Sequence, residues 1–256
     1  MDPYLAAQKQ VVPVGCMVHP LKIRAQAHAR KHVLFINPEP AKGGVLVAQL
    51  ACLMVQRRAD IVFEVVETRG RWQPLLEVVS KAMGNAVTEL PNVIVTPAQT
   101  DMRPVYGRAR MLLHPSLGWE SAGRVIVEAA FNAIPTLATD RGGQKEMLAG
   151  SGVVLNMPSA MYEAPYGVLM DPDELQPLIA QIERWFDDGK AYERAALAAQ
   201  DAAWEHHQLH KNMDKLESQF KRLCAAAQWP SASALSAPIP ATHVECERRP
   251  HQSASV

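Results

Sequence analysis

The 256-residue chain has no apolar run long enough to cross a bilayer. Its longest mostly apolar stretch, Val45 to Val55, is interrupted by Gln49 and falls short of the roughly 20 residues a spanning helix needs. The opening residues, MDPYLAAQKQVVPVG, lack a basic region followed by an apolar one, so they do not read as a secretory signal. Net charge is missing too: 26 Lys and Arg balance 26 Asp and Glu. No overall field therefore draws the chain to nucleic acid or to an anionic membrane. Cys16, Cys52, Cys224 and Cys246 form no Cys-x-x-Cys pair, and Cys52 lies in a helix-like apolar run. That usage favours a reducing compartment over a disulfide framework. There is no P-loop, no Gly-x-Gly-x-x-Gly, no Ser-His-Asp order and no internal repeat. These absences predict a soluble cytoplasmic protein, with peripheral membrane contact left open.

Apolar residues are plentiful, at 48% of the chain, enough for a sizeable core. Short β-rich runs alternate with helical ones: HVLFIN (32–37), IVFEVVE (61–67), NVIVT (92–96), RMLLH (110–114), PTLAT (135–139) and GVVLN (152–156). Between them, VLVAQLACLMVQRR shows helical spacing with Leu46, Leu50, Leu53 and Met54 on one face, and WQPLLEVVSKAM is a second helix. DMRPVYGRA supplies a short one with Asp101 as N-cap. Apolar strands without strict alternation imply a parallel sheet covered on both faces. The expected fold is α/β, a single Rossmann-like doubly wound sheet at 32–190. A leader or linker at 1–31 precedes it, and a helical extension at 191–226 follows. The Pro-, Ser- and Ala-rich stretch at 227–256 reads as a disordered tail.

The stretch HPSLGWESAGRVIVEAAFNAIPTLATDRGG, residues 114–143, places Glu120 in a small-residue turn and Glu128 inside an apolar helical run. A carboxylate in an apolar run is costly unless something pairs with it. In open parallel sheets ligands bind beyond the carboxyl ends of the strands, where loops enter helices. Ser121, Ala122 and Gly123 allow close approach to such a loop's backbone, and the first-turn amides of the following helix attract anions such as phosphate. Glu128 lies roughly 7.5 Å further along the helix axis at 1.5 Å per residue. A carboxylate accepts two hydroxyl hydrogen bonds, and charged acceptors are the stronger ones. A nucleotide sugar, with its diphosphate, ribose hydroxyls and sugar hydroxyls, offers this combination.

The same stretch resembles the signature of glycosyltransferase family 4, retaining enzymes of the GT-B fold. The pattern matches at Pro115, Ser116, Glu120, Gly123, Glu128, Ala129, Pro135, Ala138, Gly142, Gly143 and Glu146. FINPEPAKGG is similar to the family's loop after the first strand of its donor-binding domain, and DMRPVYGRARMLLHPS to the segment leading into the motif. The likeness covers about Lys31 to His206. It implies that Glu128 binds the donor's ribose hydroxyls and that Glu120, the catalytic candidate, lies by the transferred sugar. The amides of Ser121, Ala122, Gly123 and Arg124 would lie near sugar and phosphate, and Lys42, next to Gly43, would neutralise the diphosphate. It implies transfer from a nucleotide-diphosphate sugar with retention and without a bound metal, the charge being met by cations and a helix dipole.

Departures from the pattern carry expectations of their own. The family often has an arginine where this chain has Asn37; losing one charge-assisted contact is worth about 1.5–3 kcal/mol. Ala122 replaces a common aromatic, and Ala133-Ile134 stands where a glycine is frequent. Nothing corresponds to an amino-terminal acceptor-binding domain, and VVPVGCMVHPLKIRAQAHARK resembles the linker that joins the two halves. The expected arrangement is a donor half acting with an acceptor domain from another chain or as a homo-oligomer. The alternative is a non-catalytic nucleotide-sugar-binding or interaction module. His206 and His210 have a zinc-compatible i, i+4 spacing but no third ligand in view. RAQAHARKH (24–32) lacks the interleaved aromatics of a nucleic-acid patch, and His114 reads as a strand-end residue.

Overall fold

The structure, a computed structural model, describes residues 15–226. Its contacts divide the chain into two units, residues 1–216 and 217–256. The first unit holds a six-stranded, wholly parallel sheet ordered β3-β2-β1-β4-β5-β6. The strands are β1 (His32–Ile36), β2 (Phe63–Val66), β3 (Val93–Thr96), β4 (Ala109–His114), β5 (Thr136–Thr139) and β6 (Val153–Leu155). The helices are α1 (Pro20–Ile23), α2 (Gly44–Arg57), α3 (Trp72–Ala82), α4 (Arg103–Arg108), α5 (Arg124–Phe131), α6 (Gln144–Leu148), α7 (Gln176–Asp187), α8 (Gly189–His206) and α9 (Leu209–Ala226). This is the doubly wound Rossmann-like fold that the alternation of runs predicts.

Successive side chains of a strand point to opposite faces, and here both faces are covered. Val33, Phe35, Phe63, Val65, Met111 and Leu113 face one core, which α2, α3 and α7 close with Leu46, Leu50, Met54, Leu76, Ile182 and Trp185. Leu34, Val66, Leu112 and Ala138 face the other, closed by α4, α5 and α8 with Tyr106, Ile126, Phe131 and Ala203. Helix α2 is buried beyond its predicted stripe: Val45, Val47 and Ala48 join the core while Leu53 is only half-buried. Gln49, which interrupts the apolar run, donates to the Met170 carbonyl at 2.6 Å and accepts the Met170 N–H at 3.0 Å.

Two segments outside the sheet are tied to it. Residues 15–31, read as part of a leader or linker, pack on the second core, where Val18 and Ile23 are buried. Asn132 pins this segment by accepting the Ala25 N–H at 2.8 Å and donating to the Ile23 carbonyl at 3.1 Å. The carboxyl-terminal run is two helices, broken at His207 and Gln208. The His207 ring turns inward to the Met147 carbonyl at 3.1 Å, and Gln208 forms a bridge with Val18. Asp101 lies one residue before the N-cap Met102, yet its Oδ1 still accepts the Arg103 N–H at 3.0 Å. The expected disordered tail, 227–256, lies outside the described residues. Among the described residues no helix is long and apolar enough to cross a membrane, and the thiols of Cys16, Cys52 and Cys224 are free.

Candidate functional site

The strand order reverses between β1 and β4, which pair side by side, and crevices at such switch points hold ligands in open α/β sheets. The loops leaving these strands, 37–43 and 115–123, are locked together. Leu117 and Gly118 donate N–H bonds to the Ala41 carbonyl at 2.9 and 2.8 Å. Gly43 sits at φ +83°, where a Cβ would lie 2.2 Å from the Pro115 carbonyl oxygen, so glycine is required on both conformational and steric grounds.

On this double loop, three side chains converge on Glu120. Lys42 pairs with its Oε1, the Ser116 hydroxyl donates to the same oxygen at 2.9 Å, and His114 Nε2 lies 3.8 Å away. Burial pushes the Glu120 carboxyl up, but the Lys42 ammonium and the Ser116 hydroxyl together hold it below its ordinary value. Burial also lowers the His114 imidazole to about 4, against the pull of Glu120 in the other direction. His114 is therefore neutral at pH 7, and its Nε2 is buried with no hydrogen-bond partner among the described residues.

The backbone of Glu120 is tied on its other flank. It bridges Gly142, and its carbonyl accepts the Gly143 N–H at 2.8 Å. A Cβ on Gly142, at φ +74°, would lie 2.0 Å from the Glu120 carbonyl oxygen. Gly143 is equally close-set against Ser121: its Cβ would lie 2.4 Å from the Ser121 carbonyl oxygen. Beneath them, Gln144 donates to Thr139 Oγ1 at 2.8 Å, and that hydroxyl donates to the Ser116 carbonyl at 2.5 Å. The turn Ser121-Ala122-Gly123 leads into α5, whose N-cap Gly123 is left-handed at φ 66°. The first-turn N–H groups of such a helix have no intrahelical acceptor and carry its positive dipole end.

Glu128 lies in α5, 8% exposed. Its Oε2 accepts the Tyr106 hydroxyl at 2.6 Å, and Arg124 Nε donates to Oε1 at 2.7 Å. Burial first, then the Glu128 carboxylate, raises the Tyr106 phenol well above its ordinary value, so Tyr106 remains a hydrogen-bond donor. The apolar run tolerates this carboxylate because two donors meet it.

The structure thus brings Lys42 and Glu120 into contact, pairs Arg124 with Glu128, and sets Gly43, Ser121, Ala122 and Gly123 as backbone around them. Asn37 is more than an absent arginine. At φ 69°, a region asparagine enters more readily than most residues, its Oδ1 accepts the Gly70 N–H at 3.0 Å and its Nδ2 donates to Glu39 at 2.8 Å. It organises the loop after β1. Sequence reasoning missed Tyr106, which no local pattern marks, and passed over His114 as a strand end. His206 and His210 fall on different helices, α8 and α9, on either side of the break. The sequence Asp171-Pro172-Asp173 closes a backbone turn before α7, with Asp171 Oδ1 accepting the Asp173 N–H at 2.8 Å.

Residues 31–188 match the family described as glycosyl transferases group 1. No curated protein sequence matches the chain. The fold is similar to Anabaena Alr3699/HepE in complex with UDP and glucose, at 21% identity and TM-score 0.56, over 75% of this chain and 49% of that one. It is also similar to the GtfA/B complex, at 14% identity and TM-score 0.62, over 84% of this chain and 41% of that one. The pneumococcal O-GlcNAc transferase GtfA in complex with UDP and GlcNAc matches at 14% identity and TM-score 0.61, over 83% of this chain and 39% of that one. At these identities the likeness speaks to fold. This chain spans half the length or less of these three structures. With more than half of its residues matched, over a doubly wound sheet of the kind found in GT-B glycosyltransferases, the chain belongs to the glycosyl transferases group 1 family.

Proposed function

We propose that the chain binds a nucleotide-diphosphate sugar at the β1–β4 switch point and serves as the donor half of a retaining, family 4-like glycosyltransferase. The observation that carries this reading is the convergence of Lys42, Ser116 and His114 on Glu120 beside the amino-terminal end of α5. The diphosphate would take the first-turn amides of α5 and the Lys42 ammonium, an anion meeting a helix dipole and a cation. Lys42 would then exchange one anionic partner, Glu120, for another. Glu128, aimed by Tyr106 and Arg124, would take the ribose hydroxyls, and Glu120 would lie by the transferred sugar. That UDP accompanies two of the structural neighbours supports a nucleotide as the class of ligand, and no metal is invoked. The acceptor would come from a domain on another chain or from a second copy.

Titration calorimetry with UDP and UDP-glucose, in EDTA, tests the reading. We expect saturable binding that Glu128→Gln weakens about tenfold or more, the worth of a charged acceptor. Absence of binding to the full chain, or a strict need for manganese or magnesium, would overturn it. A second reading is a non-catalytic nucleotide-sugar-binding module, since the contacts of Lys42 and Glu128 would serve binding without transfer. Release of free nucleotide from UDP-glucose, with and without candidate partner chains, separates the two.

A further inference from the structure

Beside the Glu120 cluster stands a group of side chains that the roles above leave unused. The Arg141 guanidinium carbon lies 5.6 Å from the Trp119 ring centroid and 5.1 Å from that of Tyr162. Trp119 directly precedes Glu120, and Arg141 directly precedes Gly142, which bridges Glu120. The pair is thus carried by the same backbone ladder that holds the candidate catalytic carboxylate. Tyr162 arrives from a short turn of helix after β6, Ser159–Tyr162.

Arg141 is held but not neutralised. Its Nε is buried and meets no acceptor among the described residues, nor does an ion pair join its guanidinium to a carboxylate there. Its acidic neighbour Asp140 accepts a long hydrogen bond of 3.5 Å from the Tyr162 hydroxyl instead. A half-buried cation without a counterion is costly, and an unsatisfied buried donor calls for an explanation. Stacking on two aromatic faces offsets part of that cost and fixes the direction of the guanidinium fork. The fork matches the two oxygens of a carboxylate or phosphate. Trp119 is 75% exposed, an open aromatic surface beside the fork.

We propose that this rim is a subsite for an anionic saccharide: Arg141 takes a carboxylate or phosphate on a sugar ring lying against Trp119. The inference rests on the proposed donor site, because Glu120 is what marks the place of the transferred sugar. The anion could be carried by the donor sugar or by the acceptor; the chemistry at Arg141 is the same.

Two ligand pairs distinguish the sources. Titration calorimetry compares UDP-glucuronic acid with UDP-glucose, and ligand-observed NMR compares methyl glucuronide with methyl glucoside. We expect the anionic member of at least one pair to bind about tenfold more tightly or better, and Arg141→Gln to abolish that preference. Arg141→Lys, which keeps the charge and loses the fork, should retain part of it, and it replaces Arg141→Gln should that variant not fold. Equal affinities within both pairs, or a preference that survives Arg141→Gln, would overturn the proposal. UDP alone is the separate control. Failure of UDP to bind counts against the donor site, whereas UDP binding without any anion preference counts only against the rim.

Discussion

At the scale of single residues, Glu128 and His114 are buried polar groups whose surroundings set the cost of changing them. Replacing Glu128 by alanine would strip the buried Tyr106 hydroxyl of its acceptor, and an orphaned donor costs about 1–3 kcal/mol. We therefore expect Glu128→Ala to lose both donor affinity and thermal stability, while Glu128→Gln, which keeps an acceptor for Tyr106, loses mainly affinity. Melting curves beside calorimetry would show it, and equal melting points for the two variants would contradict the role given to Tyr106. His114 carries a pH prediction. The folded protein keeps it neutral down to about pH 4, whereas a free imidazole takes a proton at 6.5. Between those values the unfolded chain binds more protons, so stability falls as pH drops from 6.5 to about 4. His28 and His207, also lowered by burial, act in the same direction. His114→Asn should flatten part of that slope in melts recorded from pH 7 to 4, and an unchanged slope would clear His114 of the effect. Lys42→Ala should reduce donor affinity more at low ionic strength than at high, because part of its pull is screened Coulomb attraction. Titrations at two salt concentrations decide this.

At the scale of elements, the loops after β1, β4 and β5 act as one piece because glycines let their backbones touch. Gly142→Ala places a Cβ against the Glu120 carbonyl at φ +74°, a strain of about 1–3 kcal/mol. It must displace Glu120 to relieve it. We expect a lower melting temperature together with weaker nucleotide-sugar binding, although residue 142 is assigned no ligand contact through a side chain. A variant that melts early yet binds normally would mean that the ladder between Glu120 and Gly142 does not position the site. The strands themselves were legible in the sequence to within a residue or two, since runs such as Leu112-Leu113 and Val65-Val66 can bury both faces only in a covered parallel sheet. The break between α8 and α9 was not. It depends on the His207 ring finding the Met147 carbonyl, a partner 60 residues away, and on Gln208 bridging Val18.

At the scale of the whole molecule, exposed apolar side chains and the proposed donor role set the expectations. Met213, Phe220 and Leu223 of α9 are 46%, 57% and 59% exposed, and Leu197 of α8 is 59% exposed. Exposed apolar side chains favour association where they gather into a patch. Sedimentation or light scattering of the purified chain should reveal self-association or capture of a partner, and a clean monomer at high concentration would refute it. On the donor-half reading proposed above, sugar transfer by the chain alone should run at least about a hundredfold slower than with an acceptor domain supplied, since positioning an acceptor supplies up to roughly 7–11 kcal/mol of barrier reduction. Robust transfer to a defined acceptor by this chain alone would show that the acceptor site lies within its 256 residues.

The sequence by itself determined the fold class and the candidate donor motif. Strand runs alternating with helices dictate a covered parallel sheet, and the spacing from Glu120 to Glu128 follows from a turn entering a helix. Only the tertiary structure decided what holds those carboxylates. Lys42 reaches Glu120 across 78 positions and Tyr106 reaches Glu128 across 22, contacts that arise because β1 lies next to β4 and α4 packs on the same face as α5. Arg141 between Trp119 and Tyr162 belongs there too, assembled from three separate loops. Hydrophobic periodicity records which face of an element is buried, but it carries no information about which distant polar group will be met there.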